Sequence, residues 1–154
     1  MRPILAACGG FLLAVLWFDL MFDVQVLGHA GGVLPEDVLA SIAAYYRRVT
    51  TDAFPLNRLV GLVMLVTIAG SAYALARARA ARWQAGLALM LCAAPVALAA
   101  ARVFPNAVRL GTRVDSLTRQ SELARAICHD HLACLAAVAA FVALQLMAKE
   151  AREA

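Results

Sequence analysis

The chain has 154 residues; 64% are hydrophobic and only 16% are charged, against roughly 25% charged in an ordinary soluble domain. So little polar surface cannot cover an apolar core in water, which excludes a typical soluble domain and makes the lipid bilayer the expected partner. The net charge of +4 does not point to nucleic acid, because most Arg residues flank hydrophobic runs, where membrane topology and interhelical pairing account for them.

The apolar residues come in four uncharged blocks: Pro3 to Phe18, Leu59 to Ala76, Trp83 to Ala101 and Leu132 to Ala148. A helix rises about 1.5 Å per residue, so roughly 20 residues span a bilayer core. The sequence therefore predicts an all-α, integral membrane four-helix bundle of up-down-up-down order, one domain over 1–154. The first helix is expected over about 3–26, extended past Asp19 to reach a spanning length, and ended by Gly28, Gly31 and Gly32. A lipoprotein-like Leu5-Ala6-Ala7-Cys8 precedes rather than follows its apolar stretch, and Trp17 to Asp23 is a poor cleavage region. The segment is therefore expected to be retained as a helix.

Leu34-Pro35-Glu36-Asp37 opens a different segment, with proline and acids suited to a first helical turn. Val38, Ile42, Tyr45, Tyr46 and Val49 follow at helical spacing. They predict an amphipathic helix over about 35–50 in the first long connector, lying at the interface or packed on the other helices. The second and third spanning helices are expected over about 55–77 and 82–104. The short link between them makes them antiparallel neighbours. Pro95 is expected to kink the third. After a polar connector, with Asp115 or Ser121 as candidate caps, the fourth helix is expected over about 121–149. Arg2, Arg77, Arg79, Arg82, Lys149 and Arg152 fall on one side in this order. Arg47, Arg48, Arg109, Arg113 and Arg119 fall on the other. The short, Arg-dense link weighs most under the positive-inside rule, so both termini are expected in the cytoplasm of a bacterial inner membrane.

The position of the polar residues carries the functional signal. Asp19 and Asp23 end the first helix, Asn57 and Arg58 begin the second, Arg102 and Asn106 end the third with Arg109 beyond, and Arg125, His129, Asp130 and His131 begin the fourth. In an up-down-up-down order all of these meet at one end. Asp19 and Asp23 share a helix face, as do Arg125 and His129. Ionised side chains avoid lipid and pair inward, so Asp19 or Asp23 is expected to pair with Arg58 or Arg102. Such pairs serve packing or form a substrate or proton site. His129 and His131 point about 200° apart on a regular helix and so cannot share a metal. Cys128, His131 and Cys134 have workable spacing, but in apolar surroundings, and no metal or other cofactor is expected. His29, among glycines, is read mainly as a solvated loop residue. Cys8, Cys92, Cys128 and Cys134 lie in or beside apolar runs and read as small buried hydrophobes. Gly-rich phosphate loops, G-x-S-x-G elbows and H-E-x-x-H motifs are absent.

In size, helix number, the Phe104-Pro105-Asn106 end of the third helix and the polar, His-bearing start of the fourth, the layout resembles small membrane proteins of the anthrone-oxygenase-like family. A Trp that such proteins often carry near the start of the last helix is missing here. The resemblance implies cofactor-free oxygen chemistry on an electron-rich aromatic or lipophilic substrate. His129 or His131 would act as base, Asn106 or an Arg would stabilise the developing anion, and Asp19 would orient the histidine. Three function classes follow: a membrane module or subunit with a membrane-protein partner or in a homo-oligomer, a small oxygenase-like membrane enzyme, and a proton-coupled carrier.

Overall fold

A computed structural model describes residues 1–29, 31–78 and 82–147. All the regular structure among them is helical. Six α-helices follow in order: α1 (Arg2–Asp23), α2 (Glu36–Arg47), α3 (Leu56–Arg77), α4 (Arg82–Leu98), α5 (Phe104–Thr112) and α6 (Leu117–Met147). Four stretches are long and apolar enough to cross a membrane: Arg2–Gly28, Leu56–Arg77, Arg82–Thr112 and Leu117–Met147. Arg79, Lys149 and Arg152, which entered the topology argument, and the expected end of the last helix at 149 lie outside the described residues.

The ends of the elements differ from the sequence expectations for local reasons. α1 tightens into a 3-10 segment over Val24–Gly28, and the chain turns at Gly31 and Gly32, both at positive φ, where lack of a Cβ removes the steric cost. The third span does not stop near 104. A wide π-helical stretch over Ala99–Val103 follows Pro95, and α5 continues from it to Thr112. Pro105 falls in the first turn of α5, where a missing N–H costs little. α6 begins four residues before the expected 121. Neither Asp115 nor Ser121 caps it: Ser116 Oγ accepts from the Arg119 amide at 3.3 Å, Asp115 pairs with Arg109, and Ser121 lies inside the helix, its hydroxyl donating to the Leu117 carbonyl.

On α3, packing sorts the side chains in the opposite sense to a water-soluble protein. The buried residues of α3 are Thr67 and Ser71, whereas Leu62 and Leu65 are 56% and 64% exposed. Met90, Trp17, Phe18 and Leu146 also face outward. Small polar groups inside and large apolar groups outside suit helices that pack in a medium as apolar as leucine. α6 packs against α1 and α4, and α3 against α1 and α4. Gly9 lies against Phe141 and Val142, and Gly70 against Leu5, so the absence of side chains there lets helices close up.

The largest buried apolar cluster lies toward one end of the spans. It joins α2 to α5 and the first turns of α6 through Leu39, Ile42, Ala43, Leu110, Leu123 and Ile127. Polar ties hold the same unit. The Leu34 amide donates to Ser121 Oγ at 2.9 Å. Arg125 donates to the carbonyls of His29, Gly31 and Gly32, and Arg113 pairs with Glu36. α2 is thus a docked helix that covers the ends of α5 and α6.

Gly111 sets how closely α2 can approach: a Cβ there would stand 3.0 Å from the Arg47 backbone nitrogen. A Gly111→Val substitution is expected to force α2 off α5 and to cost about 1–3 kcal/mol, the range for overpacked sites. Thermal unfolding in detergent, together with faster proteolysis within 36–52, measures this.

Candidate functional site

α1 ends with two acids on one face, Asp19 and Asp23, and α2 docks with two successive tyrosines turned toward them. Tyr45 donates its hydroxyl to Asp19 Oδ1 at 2.6 Å, and Tyr46 donates to Asp23 Oδ1 at 2.6 Å. The rings are fixed as well: Tyr45 stacks on Phe22 with centroids 4.1 Å apart. From α6, His131 places Nδ1 2.6 Å from Asp23 Oδ2 and Nε2 3.9 Å from Asp19 Oδ2. Asp23 is fully buried and touches one donor on α2 and one on α6. A buried carboxylate is tolerated when its lone pairs are filled in this way. Burial and then the neighbouring carboxylates push the Tyr45 and Tyr46 hydroxyls well above the ordinary phenol pKa, so both remain proton donors.

Beside this cluster lies a cavity of about 710 Å³ between the four long helices. This is within the range of small-molecule sites. Its walls are mostly apolar, with Leu12, Val60, Met64, Val138 and Phe141 among them. Asp19, Tyr45, Tyr46 and His131 line it, whereas Asp23 stands behind His131 and does not. Both ring nitrogens have a neighbour. With Nδ1–H donated to Asp23, Nε2 is the nitrogen left over, 3.9 Å from Oδ2 of Asp19, which lines the cavity. A carboxylate behind an imidazole sets its tautomer and stabilises its protonated form.

The expected residues divide into those brought together here and those placed elsewhere. Asp19, Asp23 and His131 converge. The expected pairing of these acids with Arg58 or Arg102 is not found. They accept from tyrosines and histidine instead, because docked α2 brings hydroxyls closer than any guanidinium. Arg102 pairs with buried Asp130 at 3.2 Å, and Arg58 lies over the Phe54 ring. His129 is exposed and points away from His131. Asn106 is half-buried and does not line the cavity, whereas Asn57 does. Arg109 forms a two-bond pair with Asp115 at 2.7 Å, which lowers the Asp115 pKa. Arg125 holds the carbonyls of His29, Gly31 and Gly32, and His29 Nδ1 donates locally to the Gln25 carbonyl at 3.2 Å. Among the described residues, no three His, Cys, Asp or Glu side chains form a set suited to a metal ion.

Tyr45 and Tyr46 are the site residues that sequence reasoning missed. They were legible only as the apolar face of an amphipathic helix. The usable signal was two adjacent phenols in a connector that returns to the acid-bearing end of the first helix.

No family model, curated protein or solved structure matches this chain. The site therefore rests on its own geometry.

Removing the Tyr46 hydroxyl with Tyr46→Phe leaves Asp23 with one donor fewer in a dry site. A cost of about 1.5–3 kcal/mol is expected, typical of a hydrogen bond to a charged group. Tyr45→Phe, at a half-exposed residue, is expected to cost less. Unfolding of both variants in the same detergent checks the order.

Proposed function

We propose that the protein is a small intramembrane enzyme that binds one lipophilic molecule in the four-helix cavity and moves a proton at its polar end. The observation that carries this reading is His131, backed by Asp23 at 2.6 Å, on the wall of a largely apolar cavity. Had the acids served packing alone, a closed, void-free interior would be the expected surrounding. In the proposed step His131 Nε2 takes a proton from a substrate O–H or acidified C–H. The electron pair stays on the substrate, and the imidazolium is stabilised by Asp23 and Asp19. Asn57 supplies an amide at the cavity wall for the substrate oxygen. The oxygenase-like chemistry implied by the resemblance in layout would use this deprotonation as its first step, without a bound cofactor. Asn106 and His129, which the resemblance would assign to catalysis, have no part in this proposal.

The proposed setting is an up-down-up-down bundle in a bacterial inner membrane, with both termini cytoplasmic and the His131 cluster near the opposite surface. The Arg-dense connection after α3, with Arg77 and Arg82 at its edges, supports that orientation. A second reading, a membrane subunit held to a partner or to a copy of itself, is favoured by the Arg102–Asp130 pair, an acid–Arg contact outside this cavity's lining. The proton-coupled carrier is the least supported, because α2 covers the end at which a transport path would open.

Lipid and metabolite profiling of membranes from cells producing the wild type, His131→Ala, Asp23→Asn and His129→Ala separates these readings. The enzyme reading expects one lipophilic species to change with the wild type and with His129→Ala, and not with the other two. Indistinguishable profiles for all four, with each protein folded, would overturn it.

A further inference from the structure

The cavity is long in one direction and polar at one end. On α6 its lining runs from His131 to Phe141, about 15 Å at 1.5 Å per residue. On α1 it runs from Phe22 to Leu12, the same length. Asp19, the tyrosines and His131 line one end, and Phe141, Val138 and Cys92 line the other. That shape fits a chain with a head group.

The charge of the polar end selects the head. Asp19 lines the cavity and Asp23 stands behind His131. Two carboxyl groups stand against one imidazole at this end. Among the described residues no Arg or Lys lines the cavity, and Arg102 is drawn off by Asp130. An anionic head would meet like charge in a poorly solvated place. A head that donates hydrogen bonds would find carboxylate oxygens.

The wall on the α3 side separates the cavity from the outside by a single helix. From Leu56 to Val66 no residue is buried, and Asn57, Val60, Gly61, Met64 and Thr67, spaced three and four apart, form the stripe that lines the cavity. The outer side of the same stretch carries Leu59, Leu62 and Leu65. A thin apolar wall between the cavity and the outside suits an occupant taken from an apolar phase.

We infer that the cavity holds a single-chain amphiphile with an uncharged or cationic, hydrogen-bond-donating head, a long-chain alcohol, phenol or amine, its head at Asp19 and His131 and its tail toward Phe141. This deepens the proposed function and rests on its reading of the cavity as a binding site. The test uses purified full-length protein in a non-ionic detergent and three photoactivatable alkyl diazirines of equal length, ending in a hydroxyl, an ammonium or a carboxylate, with labelled residues mapped by mass spectrometry. The alcohol and amine probes are expected to label Met64, Val138 or Phe141, and unlabelled long-chain alcohol is expected to compete. The carboxylate probe is expected to label only outward residues such as Leu62 and Leu65. Asp19→Asn is expected to raise interior labelling by the carboxylate probe at least about tenfold, the effect of about 1.4 kcal/mol of relieved repulsion. Gly61→Phe adds a side chain to the lining stripe where a Cβ meets nothing within 4 Å. It is expected to suppress interior labelling and leave outward labelling unchanged. Interior labelling by the carboxylate probe equal to that by the alcohol, or none by any probe, would overturn the inference. His131→Ala separates the two claims: labelling retained without the profile change of the wild type supports both, and labelling retained with that change intact sinks only the proton-transfer role.

Discussion

The carboxylate of Asp23 is the constraint on which the rest of this molecule depends. It is fully buried near the end of α1, and it is acceptable there only because α2 and α6 each bring it a donor. Tyr46 and His131 both stand 2.6 Å away. An unpaired charge in such a place would cost several kcal/mol. The pairing therefore ties together three segments far apart in sequence and holds the imidazole in one orientation. The cavity side of His131 is a consequence of how its other nitrogen is held.

The docked position of α2 follows from two further features. Gly111 lets its backbone approach α5, and the apolar cluster around Ile42 and Leu110 seals the contact. The polar ties from Ser121 and Arg125 fix the turn that leads into it. The geometry of this cluster thus depends on a connector as much as on the spans. The long helices supply the walls of the cavity, and the connector supplies the hydroxyls that make its acids tolerable.

The cavity follows from uneven helix packing. α1, α4 and α6 meet through small residues and through the Pro95 region, where the Cys134 thiol reaches the Pro95 carbonyl at 3.8 Å. α3 closes on α1 at Gly70 and buries nothing in its N-terminal half. The π-helical stretch at Ala99–Val103, four residues past Pro95, sets the wall opposite. Such wide turns often accompany functional sites, and here three of its residues, Ala99, Ala100 and Val103, line the space.

The sequence by itself determined the helical class, the four apolar stretches long enough to cross a membrane, and the gathering of acids and histidines near helix ends. Each of these is a local property of composition and of spacing along a helix. It did not determine partners. Asp19 and Asp23 were expected to seek arginine because charge complementarity is the signal visible in a string of residues. Tertiary structure gave them Tyr45, Tyr46 and His131, since α2 folds back over that end and a guanidinium already paired, as Arg102 is with Asp130, is not free to compete. The choice between His129 and His131 was likewise beyond a sequence reading. The helical period shows that they face apart, but only the packing of α6 against α1 decides which of the two faces inward. The cavity is decided only in three dimensions, because it is the space that four helices leave between them and no single segment encodes it.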